Sequence, residues 1–341
     1  MTPETYSLLS VWTAIVIYVT AFASFAIDLT RRSDAATLYA ADLRSKEAAG
    51  ADRLVVGVSV GRVTRAGESS MSRGVTGIPP DAALARQRFV FARIGTSLVV
   101  LGFVFHLGAT VLRGYASGRV PWANLYEFAM VGTLLIVLVY LLVLTRIDLR
   151  YLGTFVMGLV VVVLGLAAAN FYVEVTPLAE PLKSVWLVIH VFVASLATAL
   201  FALSFALAIV QLMQARSEVL LSSGSPKAGP TFLRTLPPSA RLENLSYRFI
   251  TLGFILWTFT LIAGAIWAQS AWTRYWGFDV KETWTFIIWV LYAGYIHARA
   301  TRGWRGNPSA WLAIVGFSAV LFNFTIVNIF FKGLHAYSGI N

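Results

Sequence analysis

Cysteine is absent from all 341 residues, which excludes disulfide frameworks, thiolate metal centres, iron–sulfur clusters and cysteine nucleophiles together. Charge is scarce as well. Asp, Glu, Lys and Arg make up 13% of the chain, against about 25% in a soluble domain. Acidic residues are the rarer sign, 16 against 27 basic ones, for a net charge of +11, and histidine occurs only four times. What is plentiful is apolar: 58% of residues are hydrophobic and mean hydropathy is +0.73, so lipid must take the place of the missing polar surface. An ordinary water-soluble domain is thereby excluded.

Apolar runs near 7–27, 91–112, 125–144, 151–172, 184–213, 249–267, 284–298 and 309–331 predict about eight membrane crossings and an all-α polytopic integral membrane protein. The run 284–298 is short for a crossing and relies on tilt or on snorkelling of Arg299. Of the 27 Lys and Arg residues, 21 fall in the connections 28–93, 145–150, 214–248 and 299–308. The other six are Arg113, Arg119, Lys183, Arg274, Lys281 and Lys332. Because cytoplasmic loops hold the basic excess, both termini and the loops 113–124, 173–183 and 268–283 are expected outside the cytoplasm. The positive charge is then topological and calls for no nucleic acid.

Residues 1–90 read as a first transmembrane helix plus a basic cytoplasmic loop, and 91–341 as a membrane domain of seven helices. The connection 28–88, with Pro79-Pro80 near its end, and the Ser/Pro-rich stretch 222–240 read as loops with some disorder. No internal repeat is evident. The first apolar run lacks preceding positive residues and is long enough to span, so it reads as a membrane anchor rather than a cleaved leader.

Chemistry is concentrated in the segment 267–284, which holds four of the eleven tryptophans: Trp267, Trp272, Trp276 and Trp284. An interfacial aromatic belt accounts for Trp267 and Trp284 at the span ends. It accounts less well for an interior that also carries Arg274, Phe278, Asp279, Lys281 and Glu282. Broad aromatic faces and cations suit a flat apolar ligand with acidic substituents, and a metal in such a ligand needs axial donors; haem meets that description. The available nitrogen ligands are His106, His190, His297 and His335. His190 and His335 fall near the depth of the tryptophan-rich loop. His297 lies 13 residues beyond Trp284, about 20 Å deeper. His106 reads as a helix-packing residue.

This loop resembles the WWD motif of the haem-handling protein superfamily, specifically that of the CcsA/ResC family of cytochrome c-type biogenesis proteins (System II, labelled CcsB in some bacteria). Pro121-Trp122-Ala-Asn124-Leu-Tyr126-Glu127, the segment from Pro181 to His190, Tyr295-Ile-His297-Ala-Arg299 and Leu334-His335-Ala-Tyr337 resemble four further elements of that family. The resemblance runs from about residue 95 to 341. Phe278 stands where the family usually has tryptophan, and Val280 where it usually has proline.

The resemblance implies binding of haem b as a transported substrate, its movement to the outer face, and its presentation for thioether formation with apocytochrome c. It also implies a ResB/Ccs1-type membrane partner, thiol-reducing proteins acting indirectly, and a role within a cytochrome c synthase complex rather than as a stand-alone enzyme. By that resemblance His190 and His335 hold iron at the outer loop, and His297 holds it within the membrane together with a partner histidine. Trp122 and Tyr126, with Asn124 and Glu127, are expected to shape the outer cavity. Arg274 and Lys281 suit either haem propionates or lipid headgroups, while Asp279 and Glu282 suit a structural role. A bacterial plasma membrane is favoured over a thylakoid, with the loop extracytoplasmic. The competing readings are a b-type cytochrome electron-transfer subunit, with two histidines at equal depth on facing helices, and a transporter of another anionic amphiphile, which needs no iron ligand.

Overall fold

The computed structural model describes residues 2–56, 90–175, 183–223, 231–301, 303–331 and 333. Among these, eight long helices run up and down: α1 (Pro3–Val56), α2 (Val90–Ser117), α3 (Leu125–Leu144), α4 (Gly153–Asn170), α5 (Val185–Ser222), α6 (Ser239–Trp272), α7 (Val280–Ala300) and α8 (Asn307–Phe322). A π-helical turn, Asn323–Val327, carries α8 on to Phe330. No strand occurs among the described residues, which agrees with the all-α expectation.

Seven of the helical stretches are long and apolar enough to cross a membrane, and they match seven of the eight expected crossings. The eighth, α7, has 21 residues, about 31 Å at 1.5 Å per residue, so its length fits while its polar ends and its aromatic Trp and Tyr residues hold its hydropathy down. The outward faces are as apolar as the core, with Val16, Val104, Ile255 and Ile262 all exposed. In lipid that costs nothing, and helix contact rests on close packing and internal polar bonds. Phe201 of α5 lies against Gly253 of α6, where an added Cβ would stand 2.7 Å from its ring.

The connection 28–88 departs from expectation. Instead of becoming a loop after the first crossing, α1 continues as helix to Val56. Residues 35–53 are rich in Ala, Leu, Arg, Lys and Glu, all strong helix formers, so the composition there suits a helix rather than a loop. The remainder of that connection, including Pro79-Pro80, lies outside the described residues.

Polar clusters tie both ends of the bundle. At the end carrying the α6–α7 loop, Arg113 of α2 is 1% exposed and donates to Glu127 of α3 (2.9 Å), Glu4 of α1 (2.9 Å) and the Val173 carbonyl beyond α4 (2.6 Å). Arg119 also donates to Glu127 (2.7 Å), and Glu4 accepts from the Tyr172 hydroxyl and the Val175 amide. At the opposite end Glu243 of α6 joins Arg299 of α7 (3.2 Å) to the Gly306 amide and Ser309 of α8. His106 is buried between α1 and α2, 3.4 Å from the Tyr18 hydroxyl, as a packing residue would be.

Removing one member of a buried ion pair leaves the other charge unanswered, at a cost of about 3–5 kcal/mol. Arg113→Leu is therefore expected to lower detergent-solubilised stability by about that amount. The double change Arg113→Leu with Glu127→Leu should recover part of it. Thermal unfolding of the wild type and these two variants tests this.

Candidate functional site

The loop is built from its boundaries inward. α6 ends where Thr273 adopts a left-handed conformation (φ 58°), its amide bonded to the Gln269 carbonyl. α7 begins with a capping box: the Asp279 side chain caps the helix start, while Glu282 Oε2 accepts from the amides of Asp279 (3.1 Å) and Gly277 (2.8 Å). Both carboxylates thus serve the backbone. Between them, the Arg274 guanidinium lies directly over Gly277 and occupies the space a Cβ there would need. Phe278 combines a left-handed φ of 55° with 82% exposure, a strained conformation for an aromatic residue that turns its ring outward. Trp276 meets it edge-on at 6.2 Å.

Beneath the loop stands His190, in the second turn of α5. Its Nδ1 lies 2.9 Å from the Thr260 carbonyl of α6. A carbonyl only accepts, so Nδ1 carries the proton and a neutral ring has its lone pair on Nε2. The imidazole stacks on Trp267 (6.1 Å between centroids, 20° between planes), and Trp267 meets Trp272 edge-on at 4.7 Å. The ring also lies flat against Gly264, where a Cβ would come 2.7 Å from Cε1.

Two cavities meet at this histidine. The deeper, of about 190 Å³, lies among α3 to α8 and has apolar walls including Ile136, Val163 and Phe317. The other, of about 80 Å³, lies toward the loop against Gly264, Tyr275 and Trp276. His190, Thr260, Lys281 and Thr285 line both. Trp257 Nε1 donates to the Thr285 carbonyl (3.1 Å) and Trp289 Nε1 to Thr258 Oγ1 (3.0 Å), which fixes α7 against α6 along this wall.

The expected site residues therefore divide. His190, Trp267, Trp272, Trp276 and Lys281 come together, and Trp284 packs on Phe322 of α8 at 4.4 Å. Trp122 (6% exposed) lines a separate groove with Arg119 and Lys183, and Tyr126 (0%) is packed beneath Arg113 against Tyr172; neither lines the two cavities. His297 is exposed on the outward stripe of α7 that also carries Phe286, Val290 and Gly294, remote from both cavities. His335 lies outside the described residues. Two positions before it, Gly333 sits against the Asp279 carboxylate with no room for a β-carbon. Sequence reading missed Thr260, Asn323 and Asn328, although two asparagines in an apolar run were a visible signal.

Fold and site together define a multi-pass helical membrane protein with a histidine- and tryptophan-lined chamber beneath one end of its bundle. Residues 122–335 match the family described as Cytochrome C assembly protein. The cytochrome c biogenesis protein CcsA of Heterosigma akashiwo is 34% identical over 257 residues, covering 67% of this chain and 80% of its own. That of Prochlorococcus marinus is 36% identical over 258 residues, 67% and 78%. Among solved structures, the cytochrome c haem lyase CcmF superposes over 95% of this chain with a TM-score of 0.58 at 16% identity, a likeness of fold. This chain spans about half that protein's length, 47%. The chain belongs to the cytochrome c assembly protein family.

Gly264→Ala is expected to push the His190 ring off the Thr260 carbonyl and cost about 1–3 kcal/mol, the usual range for overpacking. Adding His190→Ala removes the clashing partner and should restore most of that loss. A double-mutant cycle of melting temperatures checks the coupling.

Proposed function

We propose that this protein takes up haem, moves it to the face of the membrane that carries the α6–α7 loop, and presents it there for covalent attachment to apocytochrome c. The observation that supports this most is His190. Its tautomer is set by the Thr260 carbonyl, it stacks on Trp267, and it stands in the wall shared by two cavities. A ring so oriented offers Nε2 to an iron, and Trp267, Trp272 and Trp276 offer faces and edges to a macrocycle. His335 is the second axial ligand in this reading, and Gly333, two residues earlier, supports it by lying against the loop's helix cap.

The exposed position of His297 favours a role completed by another subunit. A histidine on the outward stripe of α7 shares an iron only with a ligand from outside this bundle, which suits a ResB-type partner docked on that face. The attachment itself needs no cysteine here. A substrate thiol adds across a haem vinyl group, sulfur to one carbon and hydrogen to the other, with no net oxidation. The protein's part is then to position the vinyl groups and keep the iron coordinated until the substrate's own histidine replaces a ligand.

Two features bear on the competing readings and on orientation. His106, His190 and His297 do not share a cavity, whereas a resident b-type haem requires two facing histidines. The excess of Lys and Arg on the other side supports an orientation with the loop outside the cytoplasm. That orientation suits a bacterial plasma membrane, with the termini on the outer side.

Purified protein is expected to show split low-spin absorption bands when reduced. His190→Ala and His335→Ala should each abolish them, and added imidazole should restore them. His297→Ala should leave this pool intact and remove only haem that depends on the partner. A spectrum indifferent to all three substitutions overturns the proposal.

A further inference from the structure

Lys281 presents a charge that forms no ion pair among the described residues. It is the second residue of α7, and its Nζ reaches toward the deeper cavity, donating to Asn328 Oδ1 at 2.6 Å and lying 5.8 Å from the centre of the Phe128 ring. Among the described residues no carboxylate lies within 4 Å of it; Asp279, two residues back, caps the helix and acts on Lys281 only at longer range. An ammonium has three donors, and here a neutral amide takes one. In apolar surroundings an unanswered charge is expensive, and a charged side chain inside a membrane domain marks a site where something charged binds or passes.

The opposite wall is shaped to match. The π-helical turn Asn323–Val327 interrupts α8 and places both Asn323 and Asn328 on the cavity beside Lys281 and Thr285. Turns of this kind recur at functional sites, because the extra residue re-aims side chains at the cost of helix regularity. Asn323 is 6% exposed; its Nδ2 contacts Thr285 Oγ1 at 3.4 Å, while its Oδ1 is buried with no partner. Asn323 Oδ1 is an acceptor and binds no carboxylate itself, so the part of this wall that an anion meets is the pair of spare donors on Lys281.

We infer that Lys281, held in place by Asn328, is the receptor for a carboxylate of an apolar ligand in the deeper cavity, and that it selects and orients that ligand. The inference rests on the haem reading above and deepens it. The two propionates of haem share one edge of the ring, and the vinyl groups lie on the other half. With a propionate held at Lys281, the macrocycle comes within reach of His190 in the shared wall, and its ring is fixed relative to the loop. Lys281 is thus a positioning residue that discriminates free acids from esters.

The test compares haem with its dimethyl ester, titrated into the purified full-length protein and followed by the shift of the main absorption band. Wild type is expected to prefer the free acid by about tenfold, the scale of one charge-assisted hydrogen bond. Lys281→Met should bind acid and ester alike while keeping the His190-dependent band shape, and Lys281→Arg should restore part of the preference. Equal binding of acid and ester by wild type, or a preference that survives in Lys281→Met, overturns the assignment while leaving haem binding itself intact. Binding of neither compound by wild type overturns the haem reading and this inference with it. Because the ester arm is decided on wild type, a Lys281→Met protein that failed to fold would not remove the test.

Discussion

Inside a bilayer no water is available to answer a charge, so every buried ion must be met by the protein itself, and this chain's architecture follows from where it meets them. Arg113 gathers three carboxylate and carbonyl partners from the start of α1, the start of α3 and the segment after α4. With Arg119 on the second oxygen of Glu127, the cluster balances two cations against Glu4 and Glu127. Such pairs are weak arguments for stability taken singly, because desolvation opposes attraction. Their worth here is geometric: one guanidinium sets the register of four chain segments at the end of the bundle where the loop sits. At the other end Glu243 does the same for α6, α7 and α8.

Against that background the polar groups that remain unanswered stand out. Asp279 and Glu282, for which the sequence suggested a structural role, form the capping box of α7. The aromatic residues are not a uniform belt. Trp257 and Trp289 lock helices through their indole N–H groups, and Trp267 backs a histidine. Facing the cavities are His190, Lys281, Glu282, two asparagines and several hydroxyl side chains.

Much of this was legible in the chain. Uninterrupted apolar runs mark helices in a solvent that tolerates no open backbone, so the crossings could be located closely from hydropathy alone. The loop could be found because its tryptophans and charges occur where a plain turn would suffice. Other features depend on partners far apart in sequence. Nothing near Arg113 announces Glu4, 109 positions away, and nothing near His190 announces the Thr260 carbonyl, 70 positions on. The helical continuation of α1 was hidden for a different reason: polarity was read as a loop, whereas the alanine-rich composition favours helix. Trp122 and Tyr126 were expected at the outer cavity from the family resemblance; Trp122 lines a neighbouring groove that shares Leu187 with the deeper cavity, and Tyr126 is packed under Arg113.

α7 has one further consequence. Its first turn is welded to the loop by reciprocal carboxylate caps, and its far end carries His297 and the ion pair of Arg299. Between the two lies continuous helix of about 27 Å. A rod of that kind cannot shift at one end alone. Tilting it to make room beneath the loop swings the opposite end, so the two faces of the membrane are linked mechanically through a single pivoting element.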